Sequence, residues 1–187
     1  NNDENSYHVF YHPDGTVLDS TAILDGFTIT GGNAESSVPH NQGAGMHNYN
    51  GSSPTLTNCT FAGNWASFDG GGMFNIGGSS PSLTNCMFQD NSAAYEGGGM
   101  FNSGSSPSLT DCTFQDNSAT SEGGGIYNAS YSSPSLTNCV FAGNSSGSGG
   151  GIYNAWSSSP TLTSCTFTGN SAVHNGGGIY NWNGSSP

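Results

Sequence analysis

The sequence contains no lysine and no arginine. A chain without fixed positive charge cannot neutralise a phosphate backbone, so nucleic-acid binding is excluded. A polybasic attachment to an anionic membrane is excluded for the same reason. Trypsin-type proteases find no site to cut, which suits a protein working in a protease-rich exterior. No apolar run approaches the roughly 18 residues of a spanning helix, so no membrane insertion is expected. The first residue is Asn1 rather than Met, as in a chain whose leader is removed or in an excerpt of a longer one. Apolar residues are scarce as well: 32% of 187 residues, with a formal net charge of −12. In bulk that combination points toward disorder. The order of the residues points elsewhere, because the apolar ones return to fixed places in a repeat and coils that stack can bury them together.

The repeat is marked by glycine triplets. GGGMFN begins at Gly70 and Gly97, GGGIYN at Gly123, Gly149 and Gly176, and a degenerate GAGMHN at Gly43. The intervals are 27, 27, 26, 26 and 27 residues. After each triplet come Ser-Ser-Pro, then Ser/Thr-Leu-Thr, Cys-x-Phe, and an Asn three residues beyond the Phe. Ile or Met alternates with an aromatic after the glycines, and Leu, Cys and Phe alternate with hydroxyl residues further on. That is the period of two expected of half-buried strands. Asn, Gly, Ser and Pro separate the segments, as turns require. Three short strands and three turns in 26–27 residues make one turn of a parallel β-helix, and about six such coils fit the chain. Parallel crossovers are overwhelmingly right-handed. The expected fold is therefore an all-β, right-handed parallel β-helix, a solenoid with coils roughly 4.8 Å apart.

Stacking sorts the residues into columns. Met46, Met73, Met100, Ile126, Ile152 and Ile179 form one inward column. Leu56 through Leu162 form a second, and Phe61, Phe88, Phe114, Phe141 and Phe167 a third. Asn64, Asn91, Asn117, Asn144 and Asn170 form a corner ladder of amides. Asn48, Asn75, Asn102, Asn128, Asn154 and Asn181 form another. Asn58, Asn85 and Asn138 suggest a third, interrupted by Asp111 and Ser164. The triplet glycines are expected to supply positive φ and close backbone approach.

Residues 1–42 depart from the repeat and read as an N-terminal cap with an irregular first coil, with regular coils over 43–187 ending in a half coil. Tyr7 to Tyr11 and Val17 to Leu24 read as strands, and Leu24–Thr30 matches the Leu…Cys-Thr-Phe segment with Phe27 at the Cys place. The two ends suggest head-to-tail association of the chain with itself. Tyr7, Val9 and Tyr11 alternate suitably for strand addition, and Ile179, Asn181 and Pro187 mark the half coil they would complete.

With both recurring motifs in place, the chain resembles the right-handed parallel β-helix repeats of bacterial surface proteins. In particular it is similar to the polymorphic outer-membrane-protein repeats, which carry a GGA[IV]-type motif and an FxxN motif. Here the first is GGGI or GGGM, and FxxN stands intact five times, from Phe61-Asn64 to Phe167-Asn170. The resemblance covers about residues 24–187. It implies a secreted or surface-displayed module, often adhesive, and leaves the mode of attachment open.

Candidate chemistry falls into columns too. Cys59, Cys86, Cys112, Cys139 and Cys165 read as an inward stack of small apolar thiols, because parallel Cβ vectors make bridging awkward and five cannot all pair. Asp69, Glu96 and Glu122 precede glycine triplets, and Asp90 and Asp116 precede the FxxN Asn. Stacked like charges repel, and two readings stand: a solvated acidic edge, or sites for a hard cation such as Ca²⁺. No other cofactor is suggested. Alternation places Phe74, Phe101, Tyr127, Tyr153 and Tyr180 on the outer face below His47. This column is either an exposed interaction surface or is covered by loops bearing Tyr49, Tyr131, Trp156 and Trp182. The outward Ser/Thr-x-Thr pairs resemble the ice-binding face of β-helical antifreeze proteins, although Ser replaces Thr in three of five coils. Catalysis is not expected. Acidic-sugar lyases of this shape need Arg or Lys, the repeat is unbroken from Gly70 to Gly178, and the five histidines show no nucleophile–base pattern.

The sequence therefore reads as an extracellular or cell-surface structural or adhesive module. It partners itself in a filament, or surface glycans as a monomer. Ice binding is the further alternative.

Overall fold

The computed structural model describes residues 6–187. Every strand pairing is parallel and joins one coil to the next. The strands fall into four sheets, of seven, six, six and six strands. The first sheet runs from Phe10–His12 through Met46–Tyr49, Met73–Ile76, Met100–Ser103, Ile126–Ala129 and Ile152–Asn154 to Ile179–Asn181. The Leu segments make the second sheet, from Ile23–Asp25 to Thr161–Thr163. The Phe segments make the third, from Thr28–Thr30 to Thr166–Thr168. Register is set by like residues on like: Met100 pairs Ile126, Leu109 pairs Leu136, and Phe114 pairs Phe141.

The fourth sheet was not expected. Its strands include Trp65–Ala66, Ser92–Ala93 and Ser118–Ala119, two residues each, lengthening to Ser145–Ser148 and Ser171–Asn175. The sequence reads these as turn because two residues show no alternation. The backbone still extends there, and Ala34, Ala44 and Ala66 close a small apolar cluster behind it. The fourth strand is thus minimal in the coils up to Ser118–Ala119 and as long as the others or longer after them.

The interior is the three expected apolar columns together with the expected cysteine stack. Ile29 and the phenylalanines from Phe61 to Phe141, Leu56 to Leu136, Met46 to Ile152, and Cys59 to Cys139 form one continuous buried core. The Phe rings stack with centroids 4.5–5.0 Å apart and planes within 5°, in the offset geometry that aromatic pairs favour. Each cysteine Sγ lies within hydrogen-bond reach of carbonyl oxygens, as Cys112 does of Leu83 and Thr110, and all five thiols are free.

Both amide ladders form in the interior, one at a corner and one along the first-sheet strands. Asn117 donates through Nδ2 to the Phe88 carbonyl and to Asn144 Oδ1. Its own Oδ1 accepts from the Asn91 backbone N–H and Nδ2, so the buried amide is fully satisfied. The other ladder runs from Asn48 to Asn181 at 2.8–2.9 Å per step. His12 takes the ladder's place in the first coil, with Nδ1 2.7 Å from Asn48 Oδ1. The third, exposed ladder stops at Asp111 as expected: Asp111 accepts from Asn138 Nδ2 at 3.1 Å and Asn85 Nδ2 donates to Asn58 Oδ1, but a carboxylate has no donor to pass on to Asn85. Asn58, Asn85, Asp111, Asn138 and Ser164 all have φ between 52° and 55°. The left-handed turn therefore selects the small polar residues here.

The triplet glycines divide two duties. Gly97 has φ +67°, whereas a Cβ on Gly98 would strike the carbonyl oxygens of Ser118 and Gly124 in the next coil.

The first coil matches the second in register: Phe10 pairs Met46, Leu24 pairs Leu56, and Ile29 pairs Phe61. Its strands are Phe10–His12 and Ile23–Asp25 rather than the longer spans expected. Phe10–His12, which carries Tyr11, pairs with the second coil along one edge and is the outermost strand of its sheet, and the Val9 N–H bonds the Ala44 carbonyl. Ile179 and Asn181 pair back onto Ile152 and Asn154.

Candidate functional site

A recess lies where the fourth sheet passes into the first. One wall is the column of residues preceding the glycine triplets: Asp69, Glu96 and Glu122, continued by Ser148 and Asn175. Glu96 pairs Glu122, and Glu122 pairs Ser148, as isolated parallel bridges. The floor is the outer column of the first sheet. His47, Phe74, Phe101, Tyr127 and Tyr153 stack ring on ring with centroids 4.8–5.4 Å apart, and Tyr180 continues the column tilted by 49°. The far wall follows the first sheet's strands, where Trp156 and Trp182 meet edge to face at 4.6 Å. Glu96, Glu122, Tyr127, Ser148, Tyr153, Trp156, Asn175, Tyr180 and Trp182 line a cleft of about 480 Å³.

The outer aromatic column is not the exposed stripe that alternation suggests. Phe74 is 2% and Phe101 8% exposed, and Tyr127 and Tyr153 are buried as well. The ends of the first-sheet strands flank the rings: Ile76, Ala129 and Ala155 pack on one side, and the acid column rises on the other. Of the expected interaction surface, only Tyr127, Tyr153 and Tyr180 reach the cleft. The exposed aromatic area comes from Trp156, 50% accessible, and Trp182, 41%. One of the two sequence readings makes these two part of a cover; in the structure they line one side of the cleft.

The carboxylates are paired with hydroxyls one coil further along. The Tyr127 hydroxyl interacts with Glu96 and that of Tyr153 with Glu122. Phe101, one coil beyond Asp69, has no hydroxyl. Asp69 instead accepts from the Glu96 backbone N–H at 3.3 Å and Gln42 Nε2 at 3.4 Å. The signal is in the sequence: the outer aromatic is Phe through Phe101 and Tyr from Tyr127, one coil after Glu first appears.

Burial raises all three carboxyls. Asp69 is pushed up to about 7 by desolvation. Glu96 reaches about 7 by desolvation and by repulsion from Asp69 and Glu122. Glu122 is raised, again chiefly by desolvation. Near neutral pH Asp69 and Glu96 are part-protonated, and a protonated carboxyl both donates and accepts hydrogen bonds. Desolvation and the neighbouring carboxylates likewise push the Tyr127 and Tyr153 hydroxyls up, so both remain donors.

Asp90 and Asp116 lie elsewhere, exposed at the corner between the third and fourth sheets. They share that place with Gly63, Gly143 and Gly169, and all five have positive φ. The turn accounts for these aspartates, which contribute nothing to the cleft. Among the described residues, no group of three or more His, Cys, Asp or Glu side chains is arranged to hold a metal ion.

A family model described as a right handed beta helix region matches residues 19–187. No curated protein and no solved structure matches the chain.

Proposed function

The chain belongs to the right-handed β-helix family, and from that premise we propose that it serves outside the cell as an adhesive scaffold, holding neutral glycans in the acidic aromatic cleft. The cleft itself carries this reading. Trp156 and Trp182 supply exposed apolar faces, and Glu96, Glu122, Ser148, Asn175 and the Tyr hydroxyls supply donors and acceptors beside them. A few polar groups converging on an aromatic recess suit a ligand with alternating C–H and O–H surfaces. With no Lys or Arg and a net charge of −12, uronic and sialic acids are repelled.

The test is binding of the purified chain to a panel of neutral and acidic oligosaccharides. Capture of neutral members, weakened roughly tenfold or more by W156A or W182A, supports the reading; loss of one stacking face costs about 1–3 kcal/mol. Equal capture by wild type and both variants, or capture only of acidic sugars, overturns it. The captured glycan is expected to stay intact, as chromatography of the supernatant would show. Negative-stain microscopy with and without EDTA adds a separate check: uniform single particles accord with an adhesive monomer, whereas filaments would assign a structural role.

A further inference from the structure

Four of the five histidines, His8, His12, His40 and His47, lie in the first coil or on the strand stacked upon it, and only His174 is remote. His8 is central. Its ring stacks on Tyr11 at 4.8 Å and lies 5.4 Å from those of His40 and His47. Its Nδ1 is 2.9 Å from the Gly43 carbonyl oxygen. A carbonyl only accepts, so Nδ1 carries the proton and Nε2 keeps a lone pair. That lone pair faces His40 Nδ1 at 3.2 Å.

We infer that His8 Nε2 and His40 Nδ1 form a two-nitrogen clamp for a divalent transition-metal ion of the Zn²⁺, Ni²⁺ or Cu²⁺ class. Two imidazoles on a tetrahedral ion, each about 2.0–2.1 Å from it, stand about 3.3 Å apart. The two nitrogens already stand 3.2 Å apart, so binding requires little rearrangement. The Gly43 bond is the outer contact that fixes the tautomer and ring plane of a ligating histidine. His47 Nδ1, buried and without a hydrogen-bond partner, leaves an unmet polar atom beside the clamp. Imidazole nitrogens suit these ions rather than Ca²⁺ or Mg²⁺, and the chain's uncompensated negative charge draws cations to it. Since no third His, Cys, Asp or Glu among the described residues converges there, water completes the coordination shell.

In the absence of an ion, His40 Nδ1–H donates to His8 Nε2. When an ion enters, that proton passes through solvent to His40 Nε2. Both lone pairs then bond the ion, with no net proton released while the rings are neutral.

Calorimetric titration of the full chain with Zn²⁺ tests the clamp. One ion is expected per chain. H40A should weaken it by at least the roughly 10–100-fold that loss of an outer-shell contact costs, and H174A should leave it unchanged. His40 is only partly buried, so H40A is expected to keep the fold, which far-UV circular dichroism verifies. Cu²⁺ bound to the wild type should show paramagnetic coupling to two nitrogens, reduced to one in H40A. Excess Ca²⁺ should not compete. Equal Zn²⁺ affinity in H40A and wild type, displacement by Ca²⁺, or no binding at millimolar Zn²⁺ would each overturn the assignment.

Discussion

At the scale of single residues, the same type carries different weight in different columns. Asn117 satisfies four hydrogen bonds inside the corner. N117A removes them and strands buried partners, each costing about 1–3 kcal/mol. A loss of roughly 3 kcal/mol or more is expected in urea unfolding. Asn138 also sits in a ladder, but it is exposed and has φ 54°. N138G should stay within about 0.5 kcal/mol of wild type, because glycine takes that conformation freely. His47 is the odd member of the outer aromatic column. Burial and the nearby histidines push it down to about 3, so it stays neutral when folded and charges readily when unfolded. Its contribution is lost as pH falls below the unfolded value near 6.5. H47F, restoring the ring found at Phe74 and Phe101, should stabilise the chain, by a margin that widens from pH 6.5 down to pH 4. Thermal melts across that range would show no widening if His47 were not the source.

At the scale of elements, the acid column sets the opposite limb of the pH profile. The folded values of Asp69 and Glu96 lie near 7, above their unfolded ones. The folded state therefore holds more protons between about pH 4 and 7. The stability this gives is complete below pH 4 and is lost as pH rises through 7. D69N removes the charge and keeps an acceptor for the Glu96 amide. It is expected to raise stability at pH 8 by about 2–4 kcal/mol and to change little at pH 4. Denaturation curves at the two pH values decide the point, since an equal effect at both would place the cause in packing. The columns themselves are legible in the sequence because a 26–27-residue period cannot place Phe88, Phe114 and Phe141 anywhere but on one another. What covers a column is not legible. Phe74 is buried in an outer cluster with Ile76 and the rings stacked beyond it, and no period within one coil encodes that. Nor does Ser92–Ala93 announce itself as a strand. Asp90 resembles Asp69 in composition, and only its positive φ shows that a turn, rather than a site, requires it.

At the scale of the whole molecule, contacts run from each coil to its neighbours, so stability is close to a sum over coils and interfaces. Excising residues 97–122 removes one complete period and brings Glu96 directly before Gly123, restoring every column. The shortened chain should keep its β circular dichroism and a cooperative melt, with a smaller denaturant slope in proportion to the lost surface. Excising residues 97–109 shifts the columns out of phase and should abolish the cooperative transition. If both deletions behaved alike, register would not be what holds the solenoid together.

The hydrogen bonds that join coil to coil, such as Met100 N–H to the Gly125 carbonyl, run along the solenoid axis. Tension applied across the two ends loads them lengthwise, one coil boundary at a time. Each coil that yields frees 26 or 27 residues, about 90 Å of extended chain at roughly 3.3–3.6 Å per residue. A tether built this way extends in even steps, dissipating a sudden pull while its remaining coils keep their grip.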